Sequence, residues 1–213
     1  MSQTTETEIK PKSRFQIADE KAFLFFFNKL KNPVFDIVMP VLSHAGNSGR
    51  IWIYGSLLML FIGVLLLKKP LLEPTLAMMA AMGIAEFVAE GVIKKIRWRD
   101  RPYKTIEGVE LRVPARRYSK TSSFPSGHSA AYICSAVILS LYFHSLAPVF
   151  LTVGICGAYS RIYVGAHYPS DVVAGSLIGL VCAFGIFAVF HPYLWNLVVW
   201  FVKLIHLTPY LIH

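Results

Sequence analysis

The sequence predicts an all-α fold: a polytopic transmembrane helical bundle of about six helices, with an N-terminal interfacial or first transmembrane helix. Hydrophobic residues make up 55% of the 213-residue chain and the mean hydropathy is +0.53, which is high for a soluble domain. No Lys, Arg, Asp or Glu occurs in residues 121–160 or 172–202. A soluble helical core would not need so many long apolar runs with so few charges.

The apolar runs mark the individual helices, several of them near the length of about 20 residues that crosses a bilayer. They cover residues 51–67, 75–93, 128–146, 148–165 and 172–190, with an aromatic-rich run at 193–208. A turn near residues 144–148 makes a hairpin of the third and fourth runs. Gly175 and Gly179 share one helical face, which favours close packing against a neighbouring helix.

The N-terminal segment has a different composition. Residues 1–21 are polar, of mixed charge and without the pattern of a cleaved signal peptide, so they predict a solvated tail. Residues 22–44 combine many aromatic side chains with two lysines and an aspartate, which fits an interfacial amphipathic helix or a poor first span. The predicted organisation is a polar tail, 1–21, followed by a transmembrane domain, 22–213.

One polar loop inside the hydrophobic region carries much of the net charge of +9. Ten of the 21 Lys and Arg residues lie between Lys94 and Lys120, opposed there only by Asp100, Glu107 and Glu110. A concentrated positive field beside a membrane attracts anions, either lipid headgroups or a phosphate substrate. Ordinary cytoplasmic loops carry the same bias, so the charge by itself leaves both interpretations open.

The residues that follow this loop are suited to bind an anion. In "PSGH", Ser126 is a natural N-cap and Gly127 permits close backbone approach. A helix that begins there directs free N–H groups and the positive end of its dipole at the loop. His128 lies in the first turn of the helix. The pattern therefore predicts an anion site at this helix start.

Alternating helices bring further polar residues to the same membrane face. Lys94 and Arg101 follow the 75–93 run, Arg161 and His167 end the 148–165 run, and Asp171 begins the next. Together with His128, these groups supply two histidines, an aspartate and several cations. Such a set indicates phosphoryl transfer.

Three short segments carry a resemblance to a known family. They are Lys94 with Arg101-Pro102 after six residues, Pro125–His128, and Ser160-Arg161, five residues, His167, three residues, Asp171. In order and spacing they resemble the three-part signature of the type 2 phosphatidic acid phosphatase superfamily, in its integral-membrane lipid phosphatase branch. The signature spans residues 94–171, and no core position departs from it.

The resemblance implies an enzyme that hydrolyses phosphate or diphosphate esters without a metal or other cofactor. His167 would attack phosphorus, Asp171 would orient its ring, and His128 would protonate the leaving oxygen. The phosphate-binding residues that the resemblance implies are Lys94, Arg101, Ser126, Gly127 and Arg161. Ser160 is expected to support Arg161.

The resemblance also implies the partners: a lipid phosphate or diphosphate substrate and membrane lipids, with no nucleic acid. Candidate substrates are polyprenyl diphosphate, phosphatidylglycerol phosphate, phosphatidate and lipid A. Arg112, Arg116, Arg117 and Lys120 could bind a second phosphate or contact anionic lipids. The expected location is the bacterial inner membrane, with the active site on the extracytoplasmic side, although the charge bias of the loop favours the cytoplasm.

Three other functions compete with lipid hydrolysis. A lipid phosphotransferase could use the same phosphohistidine, and release of inorganic phosphate from pure substrate separates the two. A vanadium-dependent haloperoxidase would share the anion pocket, but those enzymes are soluble. A non-catalytic lipid transporter would not need His128, His167 and Asp171 together.

Glu86, Glu90 and Lys94 follow one another at intervals of four, so they share a helical face. Carboxylates in a membrane span are costly and usually face the bundle interior with a partner. Glu90 is therefore predicted to hold a phosphate-binding cation, Lys94 or Arg161. In the alternative the span ends earlier, and the two carboxylates lie in the headgroup region.

Overall fold

The computed structural model describes residues 12–45, 50–65, 69–114 and 121–190, with residues 193, 196, 197, 199 and 200 of the C-terminal segment. All regular structure in these residues is helical, as predicted. The α-helices are α1 (Arg14–Lys29), α2 (Pro33–Ala45), α3 (Arg50–Leu65), α4 (Lys69–Glu86), α5 (Lys94–Ile96), α6 (Pro102–Thr105), α7 (Gly127–Tyr142), α8 (Ala147–Tyr163) and α9 (Pro169–Val189). A π-helical segment, Phe87–Ile93, joins α4 to α5, and a 3-10 turn, His144–Leu146, forms the predicted hairpin between α7 and α8.

Helix α7 is central to the bundle and packs against α4, α8 and α9. The core around it is built largely from small side chains, which let helix backbones approach closely. Its buried members include Ala77, Ala81, Ala85 and Ala89 from α4 and the π-helical segment, Ala130 and Cys134 from α7, and Ala183 from α9.

The predicted close packing of the helix that carries Gly175 and Gly179 is confirmed. A Cβ atom on Gly175 would collide with the main-chain carbonyl oxygen of Ser126, and one on Gly179 with that of Ala130. Helix α9 therefore lies directly against the first turns of α7. This contact places the start of α9 beside the "PSGH" segment.

Within the described residues, three helical stretches are long and apolar enough to cross a bilayer: Leu71–Ile96, His144–Tyr163 and Pro169–Val189. At about 1.5 Å per residue they reach roughly 30 Å or more, the thickness of a hydrocarbon core. Shorter apolar helices, Pro33–Ala45 and Gly127–Tyr142, accompany them. Most of the predicted run 193–208 lies outside the described residues.

The N-terminal segment forms two helices. A capping box between Ser13 and Gln16 begins α1 at Arg14, so residues 14–21, which the sequence pattern assigns to the polar tail, are helical. Asn32 caps α2, its side chain accepting a hydrogen bond from the Phe35 amide at 2.9 Å. Residues 22–44 are thus divided between two helices of 16 and 13 residues, each too short to span a bilayer.

Candidate active site

The start of α7 is buried and is capped by Ser126. The Ser126 hydroxyl oxygen accepts hydrogen bonds from the Ser129 amide at 3.3 Å and from the Ser129 hydroxyl at 2.8 Å. The Ser126 amide donates to the carbonyl oxygen of Asp171 at 3.0 Å. Because both bonds to the Ser126 hydroxyl are accepted ones, its own proton stays available for a ligand.

His167 lies in the turn between α8 and α9 and is 1% exposed. Its Nε2 atom lies 2.9 Å from Nη1 of Arg101, and its Nδ1 atom lies 3.7 Å from Oδ2 of Asp171. An arginine can only donate, so Nε2 is the accepting nitrogen and the proton belongs on Nδ1, on the side of the carboxylate. The ring thus presents a lone pair to the cationic side of the site.

Two completely buried arginines, Arg101 and Arg161, act on the charge of this ring. Arg101 donates from Nη1 to the Ala166 carbonyl at 3.0 Å and from Nη2 to the Ser122 carbonyl at 3.1 Å. Arg161 donates to the main-chain carbonyl of Ser43 at 3.2 Å and also to the Ser43 hydroxyl. These partners of the two guanidinium groups are neutral oxygens.

The expected support of Arg161 by Ser160 is wrong. The Ser160 hydroxyl donates instead to the Gly157 carbonyl oxygen, 2.6 Å away within α8. Neighbouring side chains on a helix point in different directions, so Ser160 cannot face the group that Arg161 faces. The supporting serine is Ser43 of α2, more than a hundred residues away in sequence.

The predicted pair between Glu90 and Lys94 is present. The Lys94 ammonium donates to Oε1 of Glu90, and the Lys94 side chain is 9% exposed against 44% for Glu90. Glu90 lies in the π-helical segment, a conformation that often occurs at functional sites. Its side chain also covers Gly127, where a Cβ atom would collide with the carboxylate. Glu90 thus links Lys94 to the start of α7.

The electrostatics of His167 show that the predicted residues are brought together. Burial lowers the pKa of His167 well below 6.5, and the positive charges of Arg101, Arg161 and Lys94, together with the neighbouring His128, lower that pKa further. These four groups therefore surround the imidazole closely enough to act on its charge. His167 is neutral, and so nucleophilic, at neutral pH.

Sequence reasoning missed two charged residues. Arg99 donates to Oδ1 of Asp171 at 2.7 Å and to Oδ2 of Asp19 at 2.6 Å. Asp19 belongs to α1 and is buried. Arg99 is one of ten cations in its loop, and only the docking of α1 distinguishes it from the others.

Arg112, one of the predicted candidates for binding a second phosphate, has an acidic partner and two aromatic neighbours. Its guanidinium pairs with Asp36 at 3.3 Å and lies 4.6 Å from the ring centres of Phe27 and Tyr163. It therefore fastens the loop to α1, α2 and α8. Arg116, Arg117 and Lys120, the other three candidates for that role, lie outside the described residues.

No group of three His, Cys, Asp or Glu side chains in the described part of the chain is arranged to hold a metal ion. The charged groups around His167 are mostly cations, which suit an anion rather than a metal. Metal-independent chemistry remains a prediction.

The fold and the site define a helical membrane protein with a buried histidine that lies among cationic side chains. Residues 74–195, more than half of the chain, match the PAP2 superfamily. The chain belongs to this superfamily, which confirms the family resemblance in the sequence.

Relatives and a solved structure agree with this membership. The chain is 29% identical over 167 residues to the lipid A 4'-phosphatase of Bacteroides thetaiotaomicron, an alignment that covers 73% of this chain and 70% of that protein. It is 36% identical over 98 residues to the decaprenylphosphoryl-5-phosphoribose phosphatase of Mycolicibacterium smegmatis, covering 45% and 51%. The crystal structure of Aquifex aeolicus LpxE is similar with a TM-score of 0.63 at 25% identity, covering 79% of this chain and 93% of that chain. The chain spans about half the length of several curated relatives that it matches.

Proposed function

We propose that this protein is an integral-membrane lipid phosphatase that hydrolyses a phosphate or diphosphate monoester through a phosphohistidine at His167. One observation carries the proposal: the buried His167 ring directs Nε2 at Arg101 and Nδ1 at Asp171. Lys94 and Arg161 add positive charge near the ring. Buried cations that face a neutral nucleophile favour an anionic electrophile, and a phosphoryl group is one.

The reaction proceeds in two displacements. In the first, Nε2 of His167 forms a bond to phosphorus while the bond from phosphorus to the lipid oxygen breaks. His128 gives its proton to that leaving oxygen. Asp171 stabilises the positive charge that develops on the imidazole. In the second, His128 accepts a proton from water, the water oxygen bonds to phosphorus, and the bond to Nε2 breaks to release inorganic phosphate.

The phosphoryl oxygens are held by groups from several helices and from the loop before α6. Lys94, Arg101 and Arg161 contribute charge, and arginine offers paired donors that match phosphate geometry. The Ser126 hydroxyl and the Gly127 amide complete the cradle at the start of α7, where the helix dipole favours an anion.

The substrate is proposed from the chemistry of the site and from the names of the relatives. A lipid A 4'-phosphatase and a decaprenylphosphoryl-5-phosphoribose phosphatase are among them. We infer a lipid phosphate or diphosphate of the lipid A, polyprenyl diphosphate, phosphatidylglycerol phosphate or phosphatidate type. The phosphatase domain comprises residues 22–213, in the bacterial inner membrane, and its site opens on the extracytoplasmic side.

Phosphate release from a panel of these lipids in detergent tests the proposal. His167→Ala is expected to abolish release, because it removes the nucleophile. His144→Ala is the matched control: His144 is exposed in the turn between α7 and α8, at the other end of α7 from Ser126, and should leave release unchanged. Full release by a folded His167→Ala protein would overturn the proposal. Transfer of phosphate to an added lipid alcohol, with none released from pure substrate, would assign a phosphotransferase instead.

A further inference from the structure

The N-terminal helix contacts the start of α9 through one buried carboxylate. Oδ1 of Asp19 accepts a hydrogen bond from the Ser170 amide at 3.0 Å, and Oδ2 accepts one from the Ser170 hydroxyl at 2.5 Å. Phe23, one turn further along α1, packs edge-on against the Tyr168 ring with 5.8 Å between ring centres. Helix α1 is thus fixed to the two residues on either side of Pro169.

Arg99 connects this contact to the reaction centre. It donates from Nη2 to Oδ2 of Asp19 at 2.6 Å and from Nη1 to Oδ1 of Asp171 at 2.7 Å. Its guanidinium carbon lies 4.0 Å from the centre of the Tyr168 ring. The other Asp171 oxygen, Oδ2, accepts from the Tyr168 amide at 2.9 Å and is the one that faces Nδ1 of His167. Both oxygens of Asp171 are therefore fixed.

We propose that Arg99 is a positioning residue that holds Asp171 towards His167, and that Asp19 couples the docking of α1 to turnover. The proposal rests on the proposed function of His167. The Asp171 side chain is 0% exposed and that of Asp19 is 5% exposed, so both carboxylates depend on a counter-charge for burial. Only a planar guanidinium can bind two carboxylates and stack on a ring at once. Helix α1 is then part of the active centre, although it contributes no atom that reacts.

Steady-state kinetics of Arg99→Gln and Asp19→Asn, on the full chain in detergent with the best lipid of the panel, tests the proposal. Arg99→Gln is expected to lower kcat by about 100-fold with little change in KM, because a misplacement of roughly 1 Å has that effect on a reacting group. Asp19→Asn keeps Arg99 in place but loosens it, so a fall in kcat of about 10-fold is expected. Glu20→Gln, beside Asp19 on α1, weakens a partly exposed ion pair with Lys12 but leaves Asp19 and Arg99 unchanged, so it should match wild type.

The pH profile supplies a readout that a purely structural role would not move. Without Arg99 the Asp171 carboxylate is no longer neutralised, so the pKa of His167 rises and the acid limb of kcat/KM moves to higher pH. The other groups that act on His167 stay unchanged in this variant. They are Arg101, Arg161, Lys94 and His128.

Two results would overturn the proposal. One is wild-type kcat in Arg99→Gln. The other is a lower melting temperature in both Arg99→Gln and Asp19→Asn with kcat and the acid limb of kcat/KM unchanged. In that case α1 would only stabilise the fold. If Arg99→Gln does not fold, Arg99→Lys replaces it in the test. Lysine keeps the positive charge but lacks the paired donors of the guanidinium group, so the same fall in kcat is expected. If the proposed function itself is wrong, His167→Ala retains activity regardless of the result for the Arg99 variants. This outcome separates a failure of the proposed function from a failure of the positioning role.

Discussion

Replacing Gly175 by alanine tests the packing that assembles the site. Gly175 lies one helical turn after Asp171, and its Cα faces the main-chain carbonyl oxygen of Ser126. An added Cβ would overlap that oxygen, which is fixed main chain rather than the end of a mobile side chain. The two helices must move apart by roughly 1 Å to reach van der Waals contact, a shift large enough to reduce catalysis by about 100-fold.

The magnitude of the destabilisation follows from the same overlap. Overpacking of this kind costs about 1–3 kcal/mol of unfolding free energy. For a chain of this size each kcal/mol lowers Tm by about 2–4 °C, so a fall of about 2–12 °C is expected. The displaced carbonyl belongs to Ser126, which caps α7 at the proposed phosphate site. Therefore kcat should fall by more than the loss of folded protein accounts for.

The assay compares Gly175→Ala with Gly185→Ala in thermal unfolding and in phosphate release. Gly185 lies in the same helix with no atom near the position of an added Cβ, so alanine there should preserve Tm or raise it through its higher helix propensity. Equal Tm and activity in the two variants would refute the reasoning that the contact of α9 with Ser126 sets the site.

Three further predictions concern the charges of the site. Glu90→Gln replaces the hydrogen bond between two charged groups, Glu90 and Lys94, by one from Lys94 to a neutral amide. This weakens the hydrogen bond by about 1 kcal/mol and should lower turnover about five-fold, and Glu90→Ala should lower turnover and melting temperature further. Wild-type turnover and melting temperature in both variants would show that Lys94 needs no support. Chelator should leave the rate unchanged while vanadate inhibits, and a strict magnesium requirement would contradict this. An unperturbed histidine would make kcat/KM fall on acidification around pH 6.5. Because burial and the surrounding cations lower the pKa of His167, this fall should occur at a lower pH. A fall above pH 6.5 would contradict the electrostatics.

The spacing of the three motifs predicts a set of residues around His167, of which Arg101 and Asp171 lie directly beside its ring. Helix periodicity places Ser126 at a helix start, and span alternation brings Arg161, His167 and Asp171 to the same end of the bundle. These relations are local, since each depends on at most two neighbouring helices. The Glu90–Lys94 pair could be predicted for the same reason.

The residues that hold this set in place could not be predicted, because they depend on how the N-terminal helices dock. Ser43 reaches Arg161 from α2, and Asp19 reaches Arg99 from α1. Nothing in the local sequence of either residue indicates these partners. The mixed charge of residues 14–21 predicts a solvated tail, yet one of its two acidic residues, Asp19, is buried against a cation that is distant in sequence.

Trapping the covalent intermediate tests the central claim most directly. The protein is mixed with lipid substrate labelled with phosphorus-32, quenched within the first turnover and digested to locate the label. An acid-labile, base-stable adduct on His167, absent in His167→Ala, is the predicted result. Label on another residue, or full turnover with no labelled protein at any quench time, would contradict the assignment of His167 as the nucleophile.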